Sequence, residues 1–406
     1  MHENACSLDI SLPEKLLGVW ARIYKRYMKV NFFKGGWFLA ISILLLHSCS
    51  IDKQDQNFAY SSFKELDSLE IVMPEEFLQH TNWTTFRKDE RTMLVEYGLN
   101  GVSDLVIHQV DFNDELYSNT IIIPREGPDG YNSSEASVFI KGEDSLYVFP
   151  AARSSFFLYN SEGKKVNEYQ YNSSRFERYY KNGYYSSMIT LGEEMILTTV
   201  NDTRYDDPDY FNKVSPIQFY EPNSSKFVDK IGFPEFVQGK YLPSSLSGAM
   251  ITKIDEDQML INYNFSDSIY IYNIPNKVTT SFYCGSNHFG RPNLLEKLPN
   301  QSQELEYKVK EVNYELGFYH NGRIYRIVSH LSADKYRDYS VFEIVSQNLM
   351  AVSLIEMDLK TGLLKYYQMP IAKYFVFQDN FLFAGGVSIR EDESNTYRRF
   401  YKYTLE

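Results

Sequence analysis

One plan recurs along this chain: a short aromatic or aliphatic strand, a tight polar turn, and a second strand. It reads as SSFFLYNSEGKKVNEYQ at 154–170, with Glu162-Gly163 in the turn, as SPIQFYEPNSSKFVDKIGF at 215–233, and as DSIYIYNIPNKVTTSFY at 267–283. VSLIEMDLKTGLLKYYQM at 352–369 is a fourth copy with Thr361-Gly362 at its turn, and LVIHQVDFNDELYSNTIIIP at 105–124 is a looser one. Short runs of this kind broken by turn residues specify antiparallel hairpins, because strand side chains alternate between faces. Long helical patterns are nearly absent, and 34 Tyr with 28 Phe supply residues that suit pleated, half-buried surfaces.

Upstream of several copies stands one more strand with its own turn. Glu143-Asp144 leads SLYVFP, Asp257 leads QMLINYN, Asn321-Gly322 leads RIYRIVSH, and Asp379-Asn380 leads FLFAGGVSI. Turn, strand, turn and hairpin make a four-stranded antiparallel blade. Third strands then begin near 105, 155, 216, 268, 352 and 398, a spacing that fits six blades with loop insertions. The expected fold is all-β, a six-bladed β-propeller, which leaves only short, protected strand edges. The longest step calls for an insertion, and the charged NLLEKLPNQSQELEYKVKEVNYE (293–315) is expected to form a short helix plus loop. The last blade ends on its third strand, RRFYKYTLE (398–406), with no residues left for a fourth. An open strand edge invites aggregation, so SFKELDSLEIVMP (62–74) is expected to close the ring by pairing with the C-terminal blade.

The N-terminal region carries an address. Trp37 to Leu46 is an apolar run shorter than the roughly 20 residues that cross a bilayer, and its length suits the apolar core of a secretory signal, about 7–15 residues. Lys29 and Lys34 supply the positive charge ahead of it. Leu46-His47-Ser48-Cys49 resembles a bacterial lipobox, which makes Cys49 the expected lipidation site. Met28 opens a signal of ordinary length. Residues 1–27 are therefore read as a misassigned leader, 28–48 as the lipoprotein signal peptide, 49–57 as the lipidated cysteine and a flexible tether, and 58–406 as the propeller.

A formal net charge of −12 with no offsetting basic cluster argues against nucleic acid as a partner. Of three cysteines, Cys6 lies in the leader and Cys49 is the lipid site. Cys284 alone remains, so no internal disulfide is expected, and its expected role is buried packing.

Lipobox, acidic tether and degenerate six-bladed repeat together resemble the propeller lipoproteins of Bacteroidetes grouped as domain-of-unknown-function family 4221. REGPDGY (125–131) is similar to the Gly-Pro-rich turn that closes blades in such proteins, and the resemblance extends over 57–406. It implies a fold and attachment to the outer membrane, on its periplasmic or surface side, but no chemistry, because the family has no assigned activity. Asp67-Ser68-Leu69, Asp144-Ser145-Leu146 and Asp267-Ser268-Ile269 look like the acceptor triplets of Bacteroidetes O-glycosylation, and the same triplets arise wherever Asp-Ser ends a turn before a strand.

No motif in the chain carries catalysis. The seven histidines include no metal-ligand pair, and His320 and His330 are expected near opposite ends of one strand. GFPEFVQGK (232–240) has the wrong glycine spacing for a phosphate cradle and reads as a blade-joining loop. Asp202, Asp206, Asp207 and Asp209 match no calcium loop and read as a solvated turn. Neither a catalytic residue, a metal nor a cofactor is expected. The candidate recognition surface is RFERYYKNGYY (175–185), where Arg178, Tyr179, Tyr180 and Tyr184 combine charge with flat amphipathic rings suited to a glycan or protein partner, unless these tyrosines pack between blades. The function expected is a non-catalytic binding or scaffold propeller, membrane-anchored through its lipid. The alternative is a hydrolase or lyase acting on a polysaccharide or lactone in the channel, which would need acids and a histidine converging from the innermost strands.

Overall fold

A computed structural model describes residues 61, 65–73, 82–88, 91–112, 118–151, 153–171, 177–179, 185, 187–201, 207, 209–243, 246, 248–286, 290–331, 338–347, 349–391 and 396–405. An N-terminal strand, β1 (Glu65–Met73), precedes the first blade, β2 (Asn82–Lys88), β3 (Arg91–Leu99), β4 (Leu105–Asp111) and β5 (Ser118–Ile123). The second blade is β6 (Ala136–Gly142), β7 (Ser145–Pro150), β8 (Ser155–Tyr159) and β9 (Lys165–Gln170). In the third, a short β10 (Glu177–Tyr179) and β11 (Met188–Leu191) both pair with β12 (Glu194–Asn201), and β13 (Ile217–Glu221) and β14 (Lys226–Ile231) follow. The fourth blade is β15 (Ala249–Lys253), β16 (Gln258–Tyr263), β17 (Ser268–Asn273) and β18 (Val278–Tyr283). The fifth is β19 (Asn313–His320), β20 (Arg323–His330), β21 (Ala351–Asp358) and β22 (Leu364–Met369). The sixth holds β23 (Tyr374–Gln378), β24 (Phe381–Glu391) and β25 (Thr396–Thr404). All pairings within the blades are antiparallel, and the third strands start where the repeat placed them.

Burial follows from this plan. Every residue of β4, a third strand, is buried, whereas every residue of the outermost β18 is exposed. Hydrophobic clusters lie between neighbouring blades: one joins Val95 and Ile107 of the first to Val148 and Phe157 of the second. Another joins Ile196 and Phe219 of the third to Ile261 and Tyr272 of the fourth. Between the fourth and fifth, Arg326 is fully buried and bonds to no carboxylate among the described residues. It donates to Asn262 Oδ1 at 2.7 Å and to the carbonyls of Cys284, Tyr263 and Ser266, with its guanidinium 4.0 Å from the Tyr314 ring centre. Five donors in a planar fork suit such a cage of carbonyls. Cys284 is buried in this layer, and burial pushes its thiol up to about 11.

The ring closes as the sequence required. β1 pairs antiparallel with β25, placing Ile71 opposite Arg398 and Leu69 opposite Phe400, so the N-terminal strand is the fourth strand of the last blade. Ahead of it, Ser61 donates its backbone N–H to the Tyr366 carbonyl on the fifth blade. A buried ionic network marks the seam between last and first blades. Glu96 of β3, with no exposed surface, accepts from the Tyr374 hydroxyl and from Arg398 Nη2 at 2.7 Å, and Lys373 Nζ lies 3.5 Å away. Burial lowers the Lys373 ammonium to about 8 against the opposing pull of Glu96. Gly386 is fixed by the same seam: at φ +81° any Cβ would stand 2.0 Å from the Tyr374 ring.

The long step into the fifth blade divides in two. Helix α2 (Gln301–Lys310) forms as expected on an Asn300–Gln303 capping box, but Asn313–Glu315 already belongs to β19. A second excursion, 331–350, lies between β20 and β21 and carries α3 (Val341–Ser346) behind a Ser340–Glu343 capping box. That helix is too short to leave a readable period, and it is held by packing on α2 and by burial of Ile344. A further short helix, α1 (Tyr210–Lys213), sits ahead of β13. Because Asn313 opposes Ser329, both excursions leave from one end of the blade, opposite the Asn321-Gly322 turn.

Candidate functional site

Three rings from alternate blades meet at the centre. Trp83 of β2 stands edge-on to Tyr185, which leads into the third blade, with centroids 4.6 Å apart. Phe318 of β19 lies 6.5 Å from Trp83 and 5.6 Å from Tyr185. Blades one, three and five of a six-membered ring share no side, so their innermost residues can touch only across the axis. An isolated parallel bridge between Trp83 and Tyr185 places their backbones across it as well. Tyr374 of the sixth blade packs edge-on against Trp83 at 5.6 Å, and Met250 of the fourth accepts the Gly317 N–H on its sulfur at 3.4 Å. Trp83 is 1% exposed. These rings form a stopper.

In front of the stopper lies a cavity of about 630 Å³. Its floor is Tyr185, Phe318, Phe375 and Phe377, and its walls include Thr84, Thr85, Thr252 and Ser187. The rim comprises Arg87, Lys253, Asp255, Glu256, His320 and Asp379, where first strands turn into second strands. The turn chemistry sets this rim: Asn321 and Gly322 both have positive φ, at 49° and 78°, the geometry of the Asn-Gly hairpin turn. Lys253 Nζ pairs with Glu256 at 2.5 Å. Arg87 has no ion-pair partner among the described residues.

His320 is the rim's hydrogen-bonding centre. Its Nε2 lies 2.5 Å from the Asp379 carbonyl oxygen, which also accepts from Asn321 Nδ2 at 2.9 Å. A carbonyl only accepts, so the ring proton sits on Nε2 and Nδ1 carries the lone pair. Burial holds the imidazole below its ordinary pKa, reinforced by the Arg87 charge and opposed by the Asp379 carbonyl, so the ring is neutral at pH 7. Phe377 lies beside it, centroids 5.8 Å apart.

The cup was missed in the sequence, although its signal was present: His320, just before the Asn321-Gly322 turn, and Asp379, in the Asp379-Asn380 turn, stand on its rim. Of the stretch at 175–185, Tyr185 is buried on the axis and not between neighbouring blades. Arg178 and Tyr179 lie on β10, paired with Val200 and Thr199. Tyr180, Tyr184 and the lipobox Cys49 lie outside the described residues. Asp207 accepts from Lys213 Nζ at 2.7 Å and from the Asp209 N–H at 2.8 Å, a turn leading into α1. Among the described residues no group of three or more His, Cys, Asp or Glu side chains could hold a metal, and no helix is long and apolar enough to cross a membrane. His330 bonds Ser353 Oγ at 2.8 Å, at the far end of β20 from His320.

No family model matches the chain, and no curated protein matches it. Solved structures do. A protein assigned to export in Bacteroides fragilis aligns at 14% identity and a TM-score of 0.50, over 85% of this chain and 100% of its own. A member of domain-of-unknown-function family 4221 from Bacteroides vulgatus aligns at 14% identity and a TM-score of 0.65, over 85% of this chain and 98% of its own. The chain thus shares its six-bladed propeller fold, over 85% of its length, with a solved member of family 4221.

Proposed function

We propose that the protein is an exported lipoprotein, anchored to the outer membrane through Cys49, whose propeller binds a glycan or protein partner without catalysis and holds part of it in the axial cup. The observation that carries this reading is the stopper, which turns a through-channel into a one-ended site of about 630 Å³, a size ordinary for ligand pockets of roughly 300–1,000 Å³. The lining supports binding over hydrolysis. Its acids, Asp255, Glu256 and Asp379, all stand at the rim, and Glu256 is tied to Lys253. The lipobox supports the anchor, and the Bacteroides fragilis neighbour is itself assigned to export.

Two measurements test the reading. Metabolic labelling with a palmitate analogue should mark the wild type and fail for Cys49→Ala; equal labelling removes the anchor. A thermal-shift screen against small molecules and oligosaccharides should yield a stabilising ligand whose effect disappears in Thr85→Arg, a substitution that fills the cup. Ligands that stabilise both chains equally would place the site elsewhere.

A further inference from the structure

We propose that the cup selects a neutral, hydroxyl-rich ligand, a short saccharide, with Arg87 donating and His320 Nδ1 accepting at the mouth. This rests on the reading of the cup as a ligand seat, and the rim's charges narrow the class. Lys253 and Glu256 neutralise one another at 2.5 Å. Among the described rim residues this leaves Arg87 with Asp255 and Asp379, an excess of one negative charge on a chain of net −12. A carboxylate or phosphate entering this mouth gives up hydration to meet a surplus of like charge. A cation is drawn toward these acids, but beside His320 it gives up hydration to meet the Arg87 guanidinium, whose field already reaches that ring. An uncharged ligand meets neither penalty.

The polar atoms are matched to hydroxyls. A hydroxyl both donates and accepts. The Asp379 carbonyl fixes the His320 proton on Nε2 and so leaves Nδ1 as an acceptor, while Arg87 offers only donors. Within the cup, Thr252 gives its hydroxyl proton to the Gly317 carbonyl at 2.8 Å, so its oxygen is left to accept. Half-buried Phe139 and Tyr319 add partly open rings to the wall, and Phe377 backs His320. Flat apolar faces beside fixed donors and acceptors match a sugar ring, whose C–H face is apolar and whose edge is polar. The floor rings are locked by the stopper behind them, so little ordering is required on binding.

Calorimetric titration of the detergent-solubilised full chain decides it, with maltotriose, xylotriose, mannotriose and chitotriose as neutral probes, trigalacturonate as the anion and the glucosamine trimer as the cation. At least one neutral probe should bind, more tightly than either charged one. Affinity should fall about tenfold in Arg87→Gln and again in His320→Phe, the scale of one hydrogen bond lost in a desolvated site. His320→Gln, which restores a donor and an acceptor, should recover part of the loss, and it decides the matter if His320→Phe lowers the melting temperature. Binding of trigalacturonate or the glucosamine trimer alone would overturn the neutral class, and neutral binding indifferent to both rim variants would overturn the site. Failure of every saccharide, with another small molecule still losing its thermal shift in Thr85→Arg, would overturn the saccharide while leaving the cup a ligand seat.

Discussion

Trp83 and Tyr185 stand edge to face with ring centroids 4.6 Å apart although they belong to the first and third blades. This contact crosses the axis, and with Phe318 it decides the character of the molecule: one end of the channel becomes a floor, and the other becomes a mouth. It also couples blades that are not neighbours, so the stopper contributes to stability as well as to shape.

Replacing Trp83 should therefore act on both. Trp83→Ala should lower unfolding free energy by about 3–5 kcal/mol, the usual cost of truncating a buried large aromatic. Denaturant titration checks this. A loss under about 1 kcal/mol would mean that the rings do not pack as a unit.

At the seam, Glu96→Gln removes the anion that faces Arg398 and Lys373 and leaves two buried cations together. Breaking a buried pair from one side typically costs about 3–5 kcal/mol. The same substitution should drive the Lys373 ammonium further below its value of about 8, because the opposing carboxylate charge is gone. Equilibrium unfolding and NMR titration of the lysine report the two effects separately.

His108 predicts an acid limb. Burial, reinforced by the Arg398 charge, lowers its pKa from the ordinary 6.5 to about 4. Between these values the unfolded chain binds the proton and the native chain does not, so this group's effect is flat above pH 6.5 and destabilises as pH falls toward 4. The difference in stability between wild type and His108→Gln should shift by about 3 kcal/mol across that window. A constant difference would show that the imidazole titrates normally.

Closure of the ring is testable at Ile71, which is buried opposite Arg398. Ile71→Ala should cost about 2–5 kcal/mol. Deleting 62–73 should lower the melting temperature sharply and provoke association through the bared edge of β25, as light scattering would show. A monomeric deletion mutant of unchanged stability would mean that β1 does not close the ring.

The blades were legible because hairpins are local: turn chemistry and alternation lie within one stretch of chain, as at Glu162-Gly163 and Thr361-Gly362. Closure was legible because the C-terminal blade showed only three strands and 62–74 had an apolar pattern that could supply the fourth. The cup was not, since its residues come from six innermost strands far apart in sequence, and only the assembled ring brings Arg87 and His320 to one mouth. Trp83, Tyr185 and Phe318 each read as ordinary core aromatics, and nothing local distinguishes a ring between blades from a ring on the axis.

The most direct measurement uses Trp83 as its own reporter. With Trp20→Phe and Trp37→Phe, it is the last of three tryptophans in the chain. Its emission should be blue-shifted and protected from acrylamide, and it should change on saturation with a ligand found by thermal shift, a change abolished by Thr85→Arg. Emission typical of a solvated indole, or ligand binding that leaves Trp83 unmoved and survives Thr85→Arg, would contradict a one-ended cup as the seat of function.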